Sequence, residues 1–108
     1  MFESKSESPF QLQLTLLCSL ALEEKLLDSL LILPQVSVFT STESAAHGVN
    51  LSNMNAMEQV MGRAQIVQIQ VLLSERDKSF VIDQLKSEFV HTQIRYWITP
   101  ILEEGVLS

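Results

Sequence analysis

From Phe10 the chain alternates, with Phe10, Leu12, Leu14, Leu16 and Cys18 on one side of a two-residue period and Gln11, Gln13, Thr15 and Leu17 on the other. That pattern predicts a strand with one buried face. Leu22, Leu26, Leu30 and Leu33 then recur at helical spacing, with Glu23, Glu24, Lys25 and Asp28 largely opposite and Pro34 ending the run. This predicts the first helix. Val36 to Thr42, rich in β-branched residues around Phe39, predicts a second strand, and Ile66 to Leu73, alternating through Val67, Ile69, Val71 and Leu73, predicts a third. Ser74 with Asp77 three residues later has the spacing of a reciprocal N-terminal cap. It opens a second helix that carries Val81, Leu85 and Phe89 on one face. His91 is expected to close that helix, where a positive charge suits the C-terminal dipole. Ile94 to Thr99, ahead of Pro100, predicts a fourth strand, followed by a short tail that turns at Gly105.

The order βαββαβ predicts an α+β sandwich of the ferredoxin-like kind, a four-stranded antiparallel sheet with both helices on one face. Its other face is left without a covering layer. Gln11, Gln13, Thr15 and Leu17 of the first strand, with Gln68, Gln70 and Leu72 of the third, would line that face. Neighbours in a strand point to opposite sides, so one of Val38 and Phe39 and one of Tyr96 and Trp97 belong there too. Apolar residues of that size in a contiguous patch favour burial against another subunit.

The predicted second and third strands are separated by a polar stretch from about Glu43 to Ala64, against roughly 4 to 6 residues for most connections in compact domains. Long connections of this kind tend to carry function, so the ligand or partner site is expected here. His47 and Gly48 stand near its start, and Gly62 and Arg63 at its end. The guanidinium of Arg63 beside flexible backbone amides could hold a phosphate or carboxylate, or could instead pair with Glu58. His47 could be a ligand or pH-sensitive contact, or simply a polar residue that tolerates a turn. Gly48 and Gly62 supply backbone freedom. Asn55 and Glu58 have capping-box spacing and could start one helical turn inside the stretch.

Composition narrows the function classes. A chain of 108 residues, 46% hydrophobic, is long enough for one core and too short for two ordinary ones. Residues 1–8, acidic and serine-rich, read as a disordered tail and residues 9–108 as one domain. Thirteen acids against seven bases give a net charge of -6, which leaves phosphate-backbone binding without electrostatic support, and nucleic acid is not an expected partner. One cysteine, Cys18, excludes an internal disulfide and suits a reducing cytoplasm. The N-terminus lacks the charge and hydropathy order of a signal peptide, and the apolar run from Leu12 to Leu33 is broken by charged residues, so no membrane insertion is expected.

Metal and enzyme chemistry have less in the residues to rest on. Met54, Met57 and Met61 recur at helical spacing and could offer thioethers to a soft ion, but no Cys-x-x-Cys or His-rich spacing accompanies them, and three methionines equally line an amphipathic turn. Cys18 falls in the inward alternation and reads as core. No nucleophile elbow, P-loop or His-Glu-x-x-His motif is present, so no catalytic residue is assigned.

The strings EEKLLDSLLILPQVSVFTS, HG, MEQVMGR, VLL and YWITPILEEG, in that order and spacing, resemble a small bacterial family of unknown function that is PII-like. The resemblance covers nearly the whole chain beyond the N-terminal tail. Its most specific parts are PxVSxFTS at Pro34 to Ser41, EQVxGR at Glu58 to Arg63, and YW with PxLExG at Tyr96 to Gly105. It implies a ferredoxin-like fold related to the PII nitrogen-regulatory proteins and the CutA divalent-cation tolerance proteins, both trimeric, and genes often placed beside heavy-metal efflux pumps. Asn55 stands where serine is expected, and Val106 where arginine is common. No match to the nucleotide-binding motifs of true PII proteins is visible, so the cofactor is left unknown. The expectation is a cytoplasmic, homotrimeric regulatory or signalling module that binds a small anionic ligand or a protein through the 43–64 stretch. The alternative is a heavy-metal tolerance or metal-binding accessory protein.

Overall fold

In the computed structural model, residues 8–47 and 63–108 are described, with Arg63 and Ala64 described by their backbone. Strand β1 (Leu12–Ser19) runs straight into helix α1 (Leu20–Ile32), and Ser19 serves as both the last strand residue and the helix N-cap. A turn at Pro34 and Gln35 reverses the chain, with the Val36 N–H donating to the Leu33 carbonyl at 3.0 Å. Strand β2 (Phe39–His47) and strand β3 (Arg63–Leu73) follow. A 3-10 turn (Glu75–Asp77) leads into helix α2 (Lys78–Glu88), and strand β4 (Arg95–Pro100) ends the domain.

The sheet order is β2-β3-β1-β4, with every pair antiparallel. This is the ferredoxin-like arrangement. Period-2 alternation gives the sheet its two faces. Leu14, Leu16 and Cys18 of β1 sit opposite Val71, Ile69 and Val67 of β3, and all six are buried. Leu26 and Leu30 of α1 and Val81, Ile82 and Leu85 of α2 join them in one core. Burial of a leucine, valine or isoleucine side chain contributes about 1.5–3 kcal/mol, so this sheet-on-helix layer supplies most of the driving force. Two further contacts draw the helices together. Ser29 Oγ donates to Glu88 Oε2 at 2.7 Å, and the Lys25 ammonium lies 5.8 Å from the centre of the Phe89 ring.

The opposite face follows the expected rows. Trp97 pairs with Thr15, Thr15 with Gln70 and Gln70 with Thr40. Thr15 is only 2% exposed, because it lies mid-sheet between long neighbours on both flanking strands. Of the two aromatic alternatives, Trp97 takes this face. Tyr96 pairs with Leu16 on the helix side, where the Lys86 ammonium lies 5.6 Å from its ring centre. Phe39 pairs with Val71 and packs against the core, which leaves Val38 for the uncovered side.

Four expectations are corrected in detail. The second strand begins three residues later than Val36 and continues to His47, because Ser44 to His47 remain paired to β3. Glu43 to His47 and Arg63 to Ala64, read as part of the connecting stretch, therefore belong to the ladder. Ser74 does not cap the helix backbone; its hydroxyl donates to Asp77 Oδ2 at 3.0 Å, and a 3-10 turn precedes the helix. His91 lies beyond the end of α2, exposed in a turn at φ 64°, and Gln93 is also left-handed at φ 59°. The Thr92 hydroxyl closes the helix end instead, donating to the Phe89 carbonyl at 2.6 Å. Ser8, read with the tail, is held in the fold by a hydrogen bond from its hydroxyl to Glu104 Oε1. Glu104 thereby anchors the segment that leads into β1.

Candidate functional site

Beyond Ser19, β1 stops, while β2 and β3 continue as a two-stranded ribbon. The pairs Ala45 with Gln65, Ala46 with Ala64 and His47 with Arg63 extend past the last β1 partner, Ile66. Directly opposed residues in an antiparallel pair have Cα atoms roughly 4.5 to 5.5 Å apart. The ladder therefore sets the backbones of His47 and Arg63 side by side at its end, although they stand sixteen positions apart in the chain. His47 is exposed. Gly48, Glu58 and Gly62, with Asn55 and the three methionines of the stretch, lie outside the described residues.

In a chain of net charge -6, the ladder thus ends on a histidine opposite an arginine. Register rather than loop closure produces the juxtaposition. Strand pairing at 44–47 was not visible in the sequence, because Ser44, Ala45 and Ala46 are weak strand formers and their pairing depends on β3 as a template. The same pairing is the feature that joins the start and the end of the intervening stretch.

The opposite end of the sheet holds a cleft that sequence reasoning missed. Its volume is about 730 Å³, and its walls come from Pro9 to Gln11, the Pro34 to Ser37 turn, and Ser74 to Asp77. Gln11 braces these walls. Its N–H donates to the Leu73 carbonyl at 3.0 Å, its Oε1 accepts from the Glu75 N–H at 2.9 Å, and its Nε2 donates to the Ser8 carbonyl at 3.0 Å. The one signal available in the sequence was the Pro34–Gln35 break after the first helix.

Cys18 takes no part in either region. It is 3% exposed within the core, and burial pushes its thiol up to about 11, with the charge of Glu23 as the lesser cause. A thiol held neutral in this way is a poor nucleophile and a poor metal ligand. Among the described residues no group of three or more His, Cys, Asp or Glu side chains is placed to hold a metal ion. No described helix is long and apolar enough to cross a membrane.

The model of a protein family of unknown function, DUF3240, matches residues 9–108. The chain belongs to that family. Among solved structures, a DUF3240 family protein from Shewanella baltica superposes with a TM-score of 0.75 at 19% identity, over 94% of this chain and 100% of that one. A candidate PII-like signalling protein from Thermus thermophilus superposes with a TM-score of 0.61 at 16% identity, over 84% and 86% of the two chains. At these identities the likeness is one of fold. Comparison with curated proteins gave no match. This DUF3240 member therefore shares its βαββαβ architecture with a PII-like neighbour.

Proposed function

We propose that this DUF3240 protein is a cytoplasmic regulatory or signalling module of the PII-like kind. It binds a small anionic ligand, or an acidic group of a protein partner, where the stretch between β2 and β3 springs from the sheet. The observation that carries this reading is the register pairing of His47 with Arg63 at the ladder's end. A guanidinium provides planar, bidentate donation to phosphate or carboxylate, and a neighbouring imidazole adds a further ring N–H donor. Arg63 acts as the anchor and His47 as the accessory donor. The module binds and releases; no catalytic step is assigned to it.

The working unit is a homotrimer. Among the described residues nothing covers the sheet's second face, and Val38 and Trp97 on that side are 45% and 43% exposed. Leu102, Val106 and Leu107 in the tail are almost wholly exposed as well, a pattern that favours association. Light scattering on dilute protein should give three times the chain mass, and a monomer would contradict the assembly.

A thermal-shift screen with adenine nucleotides, inorganic phosphate, bicarbonate and divalent metals tests the binding reading, because a ligand of the native state raises apparent stability. Stabilisation by an anion supports it. Stabilisation by metals alone would favour a metal-binding accessory role in its place.

A further inference from the structure

The two edges of the sheet carry open backbone. Strands β2 and β4 are the outer members of the order β2-β3-β1-β4, and along an antiparallel pair the N–H and C=O groups of successive residues point alternately at the partner strand and away from it. The Leu72 N–H donates to the Val38 carbonyl at 3.1 Å and the Ile101 N–H to the Gln11 carbonyl at 2.9 Å, which fixes the phase on each side. On β2 the backbone groups of Ser41 and Glu43 therefore point away from β3, as do those of Phe39, Ala45 and His47. On β4 those of Tyr96 and Ile98 point away from β1, and Pro100, which has no N–H, closes the run. Native proteins guard such edges with lysine or proline. Strand β2, FTSTESAAH, has neither.

The two edges complement each other and do not complement themselves. Strand β2 carries Glu43, exposed on the helix side of the sheet in the row of Val67. Beside β4 stand Lys86, close to the Tyr96 ring on that same side, and Arg95, both exposed. Among the described residues none of these three charges has an ion-pair partner. Size is complementary as well. Tyr96 and Trp97 on β4 are 42% and 43% exposed, whereas β2 presents mainly serine, threonine and alanine. Antiparallel pairing of β2 with a second β2 over its full length would set Glu43, the middle residue of the strand, against its own copy, and like charges directly opposite are destabilising. Pairing β4 with a second β4 would bring two cationic edges together.

We propose that β2 of one copy of this chain pairs antiparallel with β4 of a second copy, in the register that sets Glu43 opposite Tyr96 and Ser41 opposite Ile98, so that the sheet continues from subunit to subunit. Opposed residues in that register share a face of the sheet. Glu43 and the partner's Tyr96 lie on the helix side, with the partner's Lys86 beside them, and Thr42 meets the partner's Trp97 on the uncovered side. Each contact joins two different edges, so every copy keeps one free edge of each kind until a ring closes. Closure leaves no open edge. The number of copies, three, rests on the homotrimer proposed above.

Amide hydrogen exchange of the full chain across a dilution series, with light scattering on the same samples, tests this pairing. The amides of Ser41, Glu43, Tyr96 and Ile98 should be protected in the assembled protein and exchange freely once it dissociates, while those of Thr40 and Thr42, already paired to β3, stay protected throughout. Ser41→Pro removes an N–H that the β3 ladder does not use and should raise the concentration of half-dissociation about tenfold. Glu43→Lys and Lys86→Glu, both at exposed positions, should each do the same at low salt by about tenfold, and combining them should restore assembly. Within one chain β2 and β4 are separated by β3 and β1, about 14 Å for three strand spacings, so that rescue acts only between copies. Free exchange at Ser41 and Tyr96 in assembled protein, assembly unmoved by Ser41→Pro and Glu43→Lys, or a double variant no better than either single one would overturn the proposal and leave the homotrimer standing. A native mass of one chain, or of a closed pair, would overturn both.

Discussion

The two ends of the sheet follow opposite rules. Where β1 begins, three strands finish level, with Leu12 paired to both Leu73 and Pro100. Gln11 and the Ser8–Glu104 bond tie the flanking segments across them. Where β1 ends, only β2 and β3 go on, and their last pair is His47 with Arg63. The first end is braced, carries net negative charge and encloses a cleft. The second is a narrow ribbon with basic residues at its tip. Fixing many segments together braces the first end, whereas a two-stranded extension is marginal by itself. The two ends of one fold thereby differ in charge and in the number of segments tied together.

The core between the ends should fail as one unit. Leu30→Ala, at a position 0% exposed, should cost about 2–5 kcal/mol in chemical denaturation. Amides at both ends should lose protection together. Loss confined to one end would show that the ends fold independently and would break the comparison at its root.

Cys18 gives a pH-dependent version of the same test. Its folded-state value of about 11 lies above the ordinary 9.0, so the folded state holds its proton more tightly than the unfolded chain does. The contribution is fully present below pH 9 and is lost as pH rises from 9 towards 11. Stability should therefore fall through that window in the native protein and fall less in Cys18→Val. Equal slopes for the two proteins would place the thiol outside the core.

A smaller effect should separate the ends. Gln11→Ala leaves the Glu75 N–H without its acceptor and should cost about 1 kcal/mol. Faster hydrogen exchange is expected at Glu75, with the amides of Ala45 and Ala46 unchanged. Equal acceleration at the ribbon would mean that the brace supports the whole sheet.

Sequence periodicity captured what depends on burial alone. The inward rows through Leu14, Leu16, Val67, Ile69 and Val71 and the helical faces through Leu26, Leu30, Val81 and Leu85 follow from one apolar pattern meeting one core. Features that depend on pairing partners were less legible. Ser44 to His47 extend β2 only because β3 lies beside them, and Phe39 faces the core because the register sets it opposite Val71. The cleft was hidden for the same reason, since its walls come from three separate segments. His47 and Arg63 were identifiable as candidates from their glycine neighbours, but their adjacency is a property of the ladder.

The smallest expected effect on stability belongs to the residue with the largest expected effect on function. Isothermal titration of inorganic phosphate and of adenine nucleotides into the native protein and Arg63→Ala, together with Tm for both, tests the ribbon-end site most directly. Surface ion pairs contribute only about 0–1 kcal/mol to stability, so Tm should hardly move, while affinity for the bound anion should fall about tenfold or more as a charge-assisted contact is lost. Unchanged affinity in a folded variant, or unfolding of Arg63→Ala with affinity per folded molecule preserved, would contradict the account by making Arg63 a structural residue.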